Sequence, residues 1–272
     1  MRKKIRTIKL LVLVIVIVGG GFGYYYSRYI APDSYSLKKT TISNSTLPDE
    51  FKNFEIGLIS DLNLQNSNDV TRLKKIIKTL NKESVDLIIF GGDLFSNTPF
   101  DHDQVIDLLS SIKSKYGKFA VLGEKDIVAS NDVTAILNEG GFEVLRNEFR
   151  PIYFNNATIS LFGIEGTGVI SGLLNETNNE SYKLVAVHEP DYFTTTSNSN
   201  IALQLSGHTM GGYLRLPFVG GLFKRNDGNT YVSGQHTKGK SQLVISNGLG
   251  MEEGYDYRLF CPNQINIITL KK

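Results

Sequence analysis

The chain has 272 residues, 41% of them hydrophobic, with 29 basic and 27 acidic side chains, one cysteine, no tryptophan and four histidines. That length suits one large domain or two small ones and can enclose a real core. The lone Cys261 excludes an intrachain disulfide and cysteine-rich zinc modules, and a formal charge of +2 excludes an overall nucleic-acid footprint.

Charge is concentrated at one end. Arg2, Lys3, Lys4, Arg6, Lys9 and Arg28 fall within residues 1–28 without a single acid, leaving a net −4 on the remainder. Inside that region Leu10–Tyr26 is a run of 17 uncharged residues, the short end of what spans a hydrocarbon core. Tyr24, Tyr25 and Tyr26 suit the headgroup boundary. Two readings stand: an uncleaved transmembrane signal anchor, or a cleaved signal peptide. No Ala-x-Ala site follows the run, which favours the anchor. The basic flank then puts the N-terminus in the cytoplasm and the rest outside. An exported domain without disulfides suits a bacterial cell surface. Residues 29–50, rich in Ser, Thr, Asn and Pro, read as a solvated linker, and 51–272 as the main domain.

Alternating elements follow. Glu55–Ser60 reads as a strand and Asp69–Lys82 as a helix, with apolar Val70, Leu73, Ile76, Ile77 and Leu80 at helical spacing. Val85–Phe90 and Lys118–Leu122 are further buried strands, separated by a helix over Asp103–Lys115. A short helix over Asp132–Glu139 precedes a β-rich half. Its strands are Phe142–Leu145, Ile152–Phe154, Thr158–Phe162, Lys183–Val187, Ile201–Leu205, Tyr231–Ser233, Gln242–Ser246 and Ile265–Leu270. This order predicts an α/β domain with two sheets in its core.

Ligands of α/β sheets bind beyond the carboxyl ends of strands. Asp61, Asp93 and Glu124 with Lys125 follow the first three strands there, and His188 and His208 follow two later ones. Each alone reads as readily as a turn former. Together, carboxylates mixed with imidazoles suit a divalent Zn, Mn or Fe ion. His102 and His236 lack such a context and read as surface residues.

These residues carry a resemblance. Asp61-Leu62-Asn63, Gly92-Asp93, Gly123-Glu124-Lys125-Asp126, His188-Glu189-Pro190-Asp191 and Gly207-His208-Thr209-Met210-Gly211-Gly212 stand in the order of the calcineurin-like metallophosphoesterase motifs. The chain most resembles the bacterial membrane-anchored or secreted branch, with Arg215-Leu216-Pro217 and Arg258-Leu259-Phe260-Cys261-Pro262 also fitting. The resemblance covers Glu55 to Leu270. It implies a four-layer α/β/β/α sandwich, with a two-metal site at the strand ends that activates water and clamps phosphate oxygens. The implied substrates are phosphoesters, lipid-linked headgroups among them.

The departures are as informative. An intact site would draw on five histidines, at the positions of Asn63, Lys125, His188, His208 and Met210; this chain has two of them. The first implied metal position, Asp61, Asn63, Asp93 and Met210, has lost both imidazoles, and a thioether does not suit a hard ion. The second, Asp93, Glu124, His188 and His208, keeps four plausible ligands, with Glu124 in place of an asparagine. Lys125 replaces the catalytic histidine and is expected beside Asp61 or Asp93, substituting its charge for the first ion. At most one ion is expected rather than two. Three functions remain open at this point: a pseudoenzyme with a phosphate-shaped cleft, a one-metal phosphoesterase, and a structural surface protein.

Overall fold

Alternation along the strands decides the layering. In Leu87–Phe90, Leu87 and Ile89 enter one hydrophobic core while Ile88 and Phe90 enter another. A strand buried on both faces needs cover on both sides, which here is a second sheet on one side and helices on the other. The structure is a computed structural model and describes residues 2–97, 99–166, 170–176, 182–252, 254 and 257–272.

In chain order the strands are β1 (Tyr35–Ser43), β2 (Glu55–Ile59), β3 (Leu87–Phe90), β4 (Lys118–Ala120), β5 (Glu143–Val144), β6 (Glu148–Phe154) and β7 (Ala157–Ile164). Then come β8 (Lys183–Val187), β9 (Leu203–Ser206), β10 (Arg215–Leu216), β11 (Gly220–Gly221), β12 (Gly234–Lys238), β13 (Ser241–Ile245) and β14 (Asn263–Lys271). One six-stranded sheet has the order β1, β14, β2, β3, β4, β5, and the other β12, β13, β9, β8, β7, β6. Between them lies a core that includes Phe54, Leu58, Ile89, Val121, Leu184 and Leu205. Helices α1 (Arg2–Tyr25), α2 (Ser67–Leu80), α3 (His102–Ser110), α4 (Ser130–Glu139), α5 (Ile170–Leu174) and α6 (Phe193–Thr196) complete the chain. Side chains from α2, α3 and α4 share a core with the outer face of the first sheet, and Ile170 and Phe193 pack on the second. The four-layer α/β/β/α architecture follows.

Helix α2 starts where its cap chemistry dictates. The Asn66 side chain accepts the Asn68 N–H at 2.9 Å, and the Asp69 carboxylate accepts the Asn66 N–H at 3.2 Å. Helix α1 continues through Tyr26–Ile30 and Ala31–Asp33, and its apolar side chains from Leu10 to Val18 are exposed.

Two sequence expectations are corrected. Residues 29–50 are not a free spacer. Tyr35–Ser43 pairs in parallel with Asn263–Lys271 along its whole length, and Ile42 and Leu47 are buried. The β-rich stretch expected at Tyr231–Ser233 lies instead at Gly234–Lys238, paired with β13.

Candidate functional site

Carboxylates and imidazoles reach the site from different sheets. Asp61 and Asp93 follow β2 and β3 of the first sheet, whereas His188 and His208 follow β8 and β9 of the second. Asp61, Asp93 and His188 are fully buried, and they offer ligand atoms within 4.8 Å of one another. The backbone is bent to bring them there. Asp61 (φ 52°), Asn63 (φ 45°), Asp93 (φ 59°), His208 (φ 70°) and Met210 (φ 51°) all adopt left-handed conformations that side chains disfavour. Gly123 leaves room that only a glycine can leave, since a Cβ there would run into the Asp93 carboxylate.

Hydrogen bonds tie the two sheet ends together. The His208 N–H donates to both Asp61 carboxylate oxygens at 3.1 Å, and Ser60 Oγ donates to Asp61 Oδ2 at 2.6 Å. Asp126 fixes the loop below. Its carboxylate accepts the N–H groups of Asp93 (2.7 Å), Leu94 (2.9 Å) and Gly123 (2.9 Å). Burial, and then the nearby Asp93 charge, push the Asp126 carboxyl up to about 7.

The two histidines are oriented from behind. His188 Nδ1 lies 2.6 Å from the Gly91 carbonyl, and His208 Nε2 lies 2.7 Å from the Asn226 carbonyl. A ring N–H donating to each carbonyl leaves the opposite nitrogen with its lone pair free. Those nitrogens, His188 Nε2 and His208 Nδ1, are buried without a hydrogen-bond partner, as is Asp93 Oδ2. His188 Nε2 is 3.5 Å from Asp93 Oδ2 and 4.0 Å from Asp61 Oδ1. Burial alone would raise Asp93, but the neighbouring His188 and then the charge of Lys125 hold it well below the usual carboxylate range. Burial would likewise lower His188, yet the Asp93 and Asp61 charges raise it. The pocket thus favours a positive charge at His188 Nε2, whether a proton or a metal ion. His208 is pushed down by burial and by the neighbouring His188, which keeps its ring neutral and fit to ligate.

Glu124 is half out of this cluster. Its side chain is 51% exposed, 3.9 Å from His208 Nδ1 and 3.0 Å from Arg225 Nη1.

The other half of the site is organised around an ammonium. Lys125 Nζ donates to Asn63 Oδ1 at 2.8 Å and lies 3.3 Å from Asp93 Oδ2 and 3.1 Å from Glu252 Oε1. Asn63 Nδ2 faces Met210 Sδ at 3.6 Å, and Met210 is fully buried. Beneath it the buried Arg258 guanidinium donates to the carbonyls of Met210 (3.2 Å), Asn247 (2.7 Å) and Gly250 (2.9 Å). Glu252 also receives the Tyr213 hydroxyl and the Arg225 guanidinium.

Five of these residues escaped the sequence reading as contributors to the site: Asp126, Tyr213, Arg225, Glu252 and Arg258. Asp126 and Arg258 lay inside the motifs, where an acid or a guanidinium that is not a ligand is easily passed over. Arg225 and Glu252 arrive on loops with no local pattern. Asp191, from the His188 motif, accepts the amides of Asn229 (2.9 Å) and Tyr231 (2.9 Å) and so serves the fold. His102 is exposed, and His236 Nε2 bonds the Ser233 carbonyl at 3.0 Å.

The family model for calcineurin-like phosphoesterases matches residues 54–212. The uncharacterized metallophosphoesterase YkuE of Bacillus subtilis is 31% identical over 262 residues, 93% of this chain and 91% of its own. The phosphodiesterase YaeI of Escherichia coli is 26% identical over 262 residues, 92% and 93% of the two chains. Among solved structures, TT1561 of Thermus thermophilus is similar with a TM-score of 0.46 and 14% identity, covering 72% of this chain and 89% of that one. This chain belongs to the calcineurin-like phosphoesterase family. The family is metal-dependent, and Asp61, Asp93 and His188 bring ligand atoms close enough together to hold a divalent ion. Beside them the Lys125 ammonium lies among Asn63 Oδ1, Asp93 Oδ2 and Glu252 Oε1.

Proposed function

We propose that this protein is a membrane-anchored member of the family that holds one divalent ion, Mn, Zn or Fe, and supplies its second positive charge from Lys125. It binds phosphoesters in the inherited cleft and turns them over weakly or not at all. The observation that carries this reading is the Lys125 ammonium lodged between Asn63 Oδ1 and Asp93 Oδ2. Asp61, Asp93 and His188 would hold the ion, with His208 and Glu124 at its edge. When bound, the ion supplies Lewis-acid polarisation of a phosphoryl oxygen.

The remaining chemistry belongs to the chain. Lys125 and Arg225 place fixed positive charge beside the cleft, where a phosphoryl group needs it. Glu252 contacts both and competes with an anionic ligand for them. Met210 offers a soft sulfur where a hard ion wants nitrogen or oxygen. The two-ion clamp on attacking and leaving oxygens is therefore missing, and loss of one electrostatic donor alone can cost about 100- to 1000-fold in rate.

A second reading, an active phosphoester hydrolase using Asp93, Glu124, His188, His208 and Lys125, is favoured by the free ring nitrogens of both histidines. The apolar helix supports a single-pass anchor with a cytoplasmic N-terminus and an exported domain, which makes lipid-linked or envelope phosphoesters the substrate class. Hydrolysis of bis-p-nitrophenyl phosphate by the full chain, with Mn, Zn or Fe added, separates the readings. Turnover that is readily measured and vanishes in Asp93→Ala establishes the second and refutes the first.

A further inference from the structure

The family chemistry leaves one feature unused, an exposed apolar hairpin at the rim of the cleft. Strands β10 and β11 form it, and its turn is Pro217-Phe218-Val219. Phe218 is wholly exposed, Val219 is 69% exposed, and Leu216, Leu222 and Phe223 are also open to solvent. Isolated apolar side chains on a surface are ordinary; a contiguous cluster with a fully exposed phenyl ring at its tip marks a place of contact.

Its position says with what. Leu214 bridges to Leu259, and the Arg215 N–H donates to the Leu259 carbonyl at 2.9 Å, so the hairpin is fastened to the 259–262 loop. Phe260, on that loop, is 66% exposed. It shares an apolar crevice of about 410 Å³ with Gly19, Phe22 and Tyr26 of the N-terminal helix. Those three belong to the uncharged run of that helix. The Arg258 N–H fastens the same loop to the helix through the Ser27 carbonyl at 2.9 Å. Where the helix crosses a bilayer, Phe260 and the hairpin beside it stand at the same interface. The exposed Lys224 flanks the apolar tip and suits anionic headgroups.

We infer that the hairpin turn Pro217–Val219, together with Phe260, dips into the lipid surface crossed by the N-terminal helix and sets the mouth of the cleft against lipid headgroups. The inference rests on the membrane-anchored reading of the helix and extends it to the main domain. Both feet of the hairpin end in the site: Tyr213 and Arg225 each contact Glu252, which pairs with Lys125. The depth of the turn therefore fixes the height of the site above the bilayer.

The chain has no tryptophan, so one introduced indole reports alone. Phe218→Trp is made in the full chain and reconstituted into phosphatidylethanolamine and phosphatidylglycerol vesicles with or without brominated acyl chains. Ile15→Trp, in the middle of the apolar helix, reports on the anchor, and Tyr153→Trp, exposed on β6, reports on water. The inference predicts blue-shifted emission from Trp at 218 and its quenching by the brominated lipid, with none at 153. Quenching at 15 but not at 218 overturns the hairpin contact and leaves the anchor standing. Quenching at neither overturns both, and quenching at 218 alone supports the hairpin contact without the anchor. A blue shift at 218 that brominated lipid does not quench, and that depends on protein concentration, assigns the patch to a second copy of the chain and overturns the inference.

Discussion

The Lys125 ammonium lies 3.3 Å from the Asp93 carboxylate, which is itself wholly buried. A carboxylate that a metal ion would ordinarily neutralise is thus neutralised by a side chain of the same polypeptide. The arrangement is self-contained: Asn63 Oδ1 takes a second ammonium proton at 2.8 Å, and Glu252 faces the ammonium at 3.1 Å.

Lys125→Met leaves Asp93 and Asn63 facing a neutral side chain. Losing one partner of a buried pair costs about 3 kcal/mol. The variant is expected to melt earlier than the parent. Added Mn²⁺ is expected to raise its melting temperature by more than it raises the parent's, because an ion that binds only the folded state stabilises it in proportion to its affinity. Equal Mn²⁺ responses in thermal melts of the two proteins would show that Lys125 does not stand in for a cation.

Glu252→Gln removes the anion that Lys125, Arg225 and Tyr213 share. Those donors then become available to a phosphate, and one freed charged hydrogen bond is worth about 10-fold in affinity. Calorimetric titration with inorganic phosphate is expected to give the tighter constant for the variant. Unchanged or weaker binding would mean that Glu252 merely braces the loop.

Asp126→Ala strips an acceptor from the amides of Asp93, Leu94 and Gly123. Orphaning three buried N–H groups costs about 4 kcal/mol. Asp126→Asn keeps one side-chain oxygen and is expected to lose about half as much by the same reasoning. Denaturant unfolding of the three proteins gives the order directly, and metal content is expected to fall with it, since Asp93 hangs from this loop.

Arg258→Lys is expected to behave almost as badly as Arg258→Met, each losing about 3 kcal/mol in denaturant unfolding. A single ammonium cannot serve the Met210, Asn247 and Gly250 carbonyls that the planar guanidinium reaches together. Full stability in the lysine variant would contradict that account.

Much of this was legible in the sequence because period and position carry it. Helix α2 announces itself through Val70, Leu73, Ile76, Ile77 and Leu80, and β3 through an unbroken apolar run. Strand β1 is silent for the opposite reason. Its Lys38 and Lys39 are exposed, and it is a strand because Asn263–Lys271, more than two hundred residues away, offers it an edge. The site divides in the same way. Asp61, Asp93, His188 and His208 occupy strand ends, so sequence position locates them. Glu252 and Arg225 are brought in by loops whose path no local pattern encodes. Lys125 was readable as a substitution, but its partner Glu252 was not.

The central claim is one ion beside one ammonium, and metal stoichiometry tests it most directly. The full chain, purified in detergent and saturated with Mn²⁺, is freed of excess metal and analysed for bound metal per polypeptide. The account predicts about one ion per chain, at the Asp61, Asp93 and His188 cluster, lost in both Asp93→Ala and His188→Ala. Two ions per chain, or one that survives both substitutions, would contradict it.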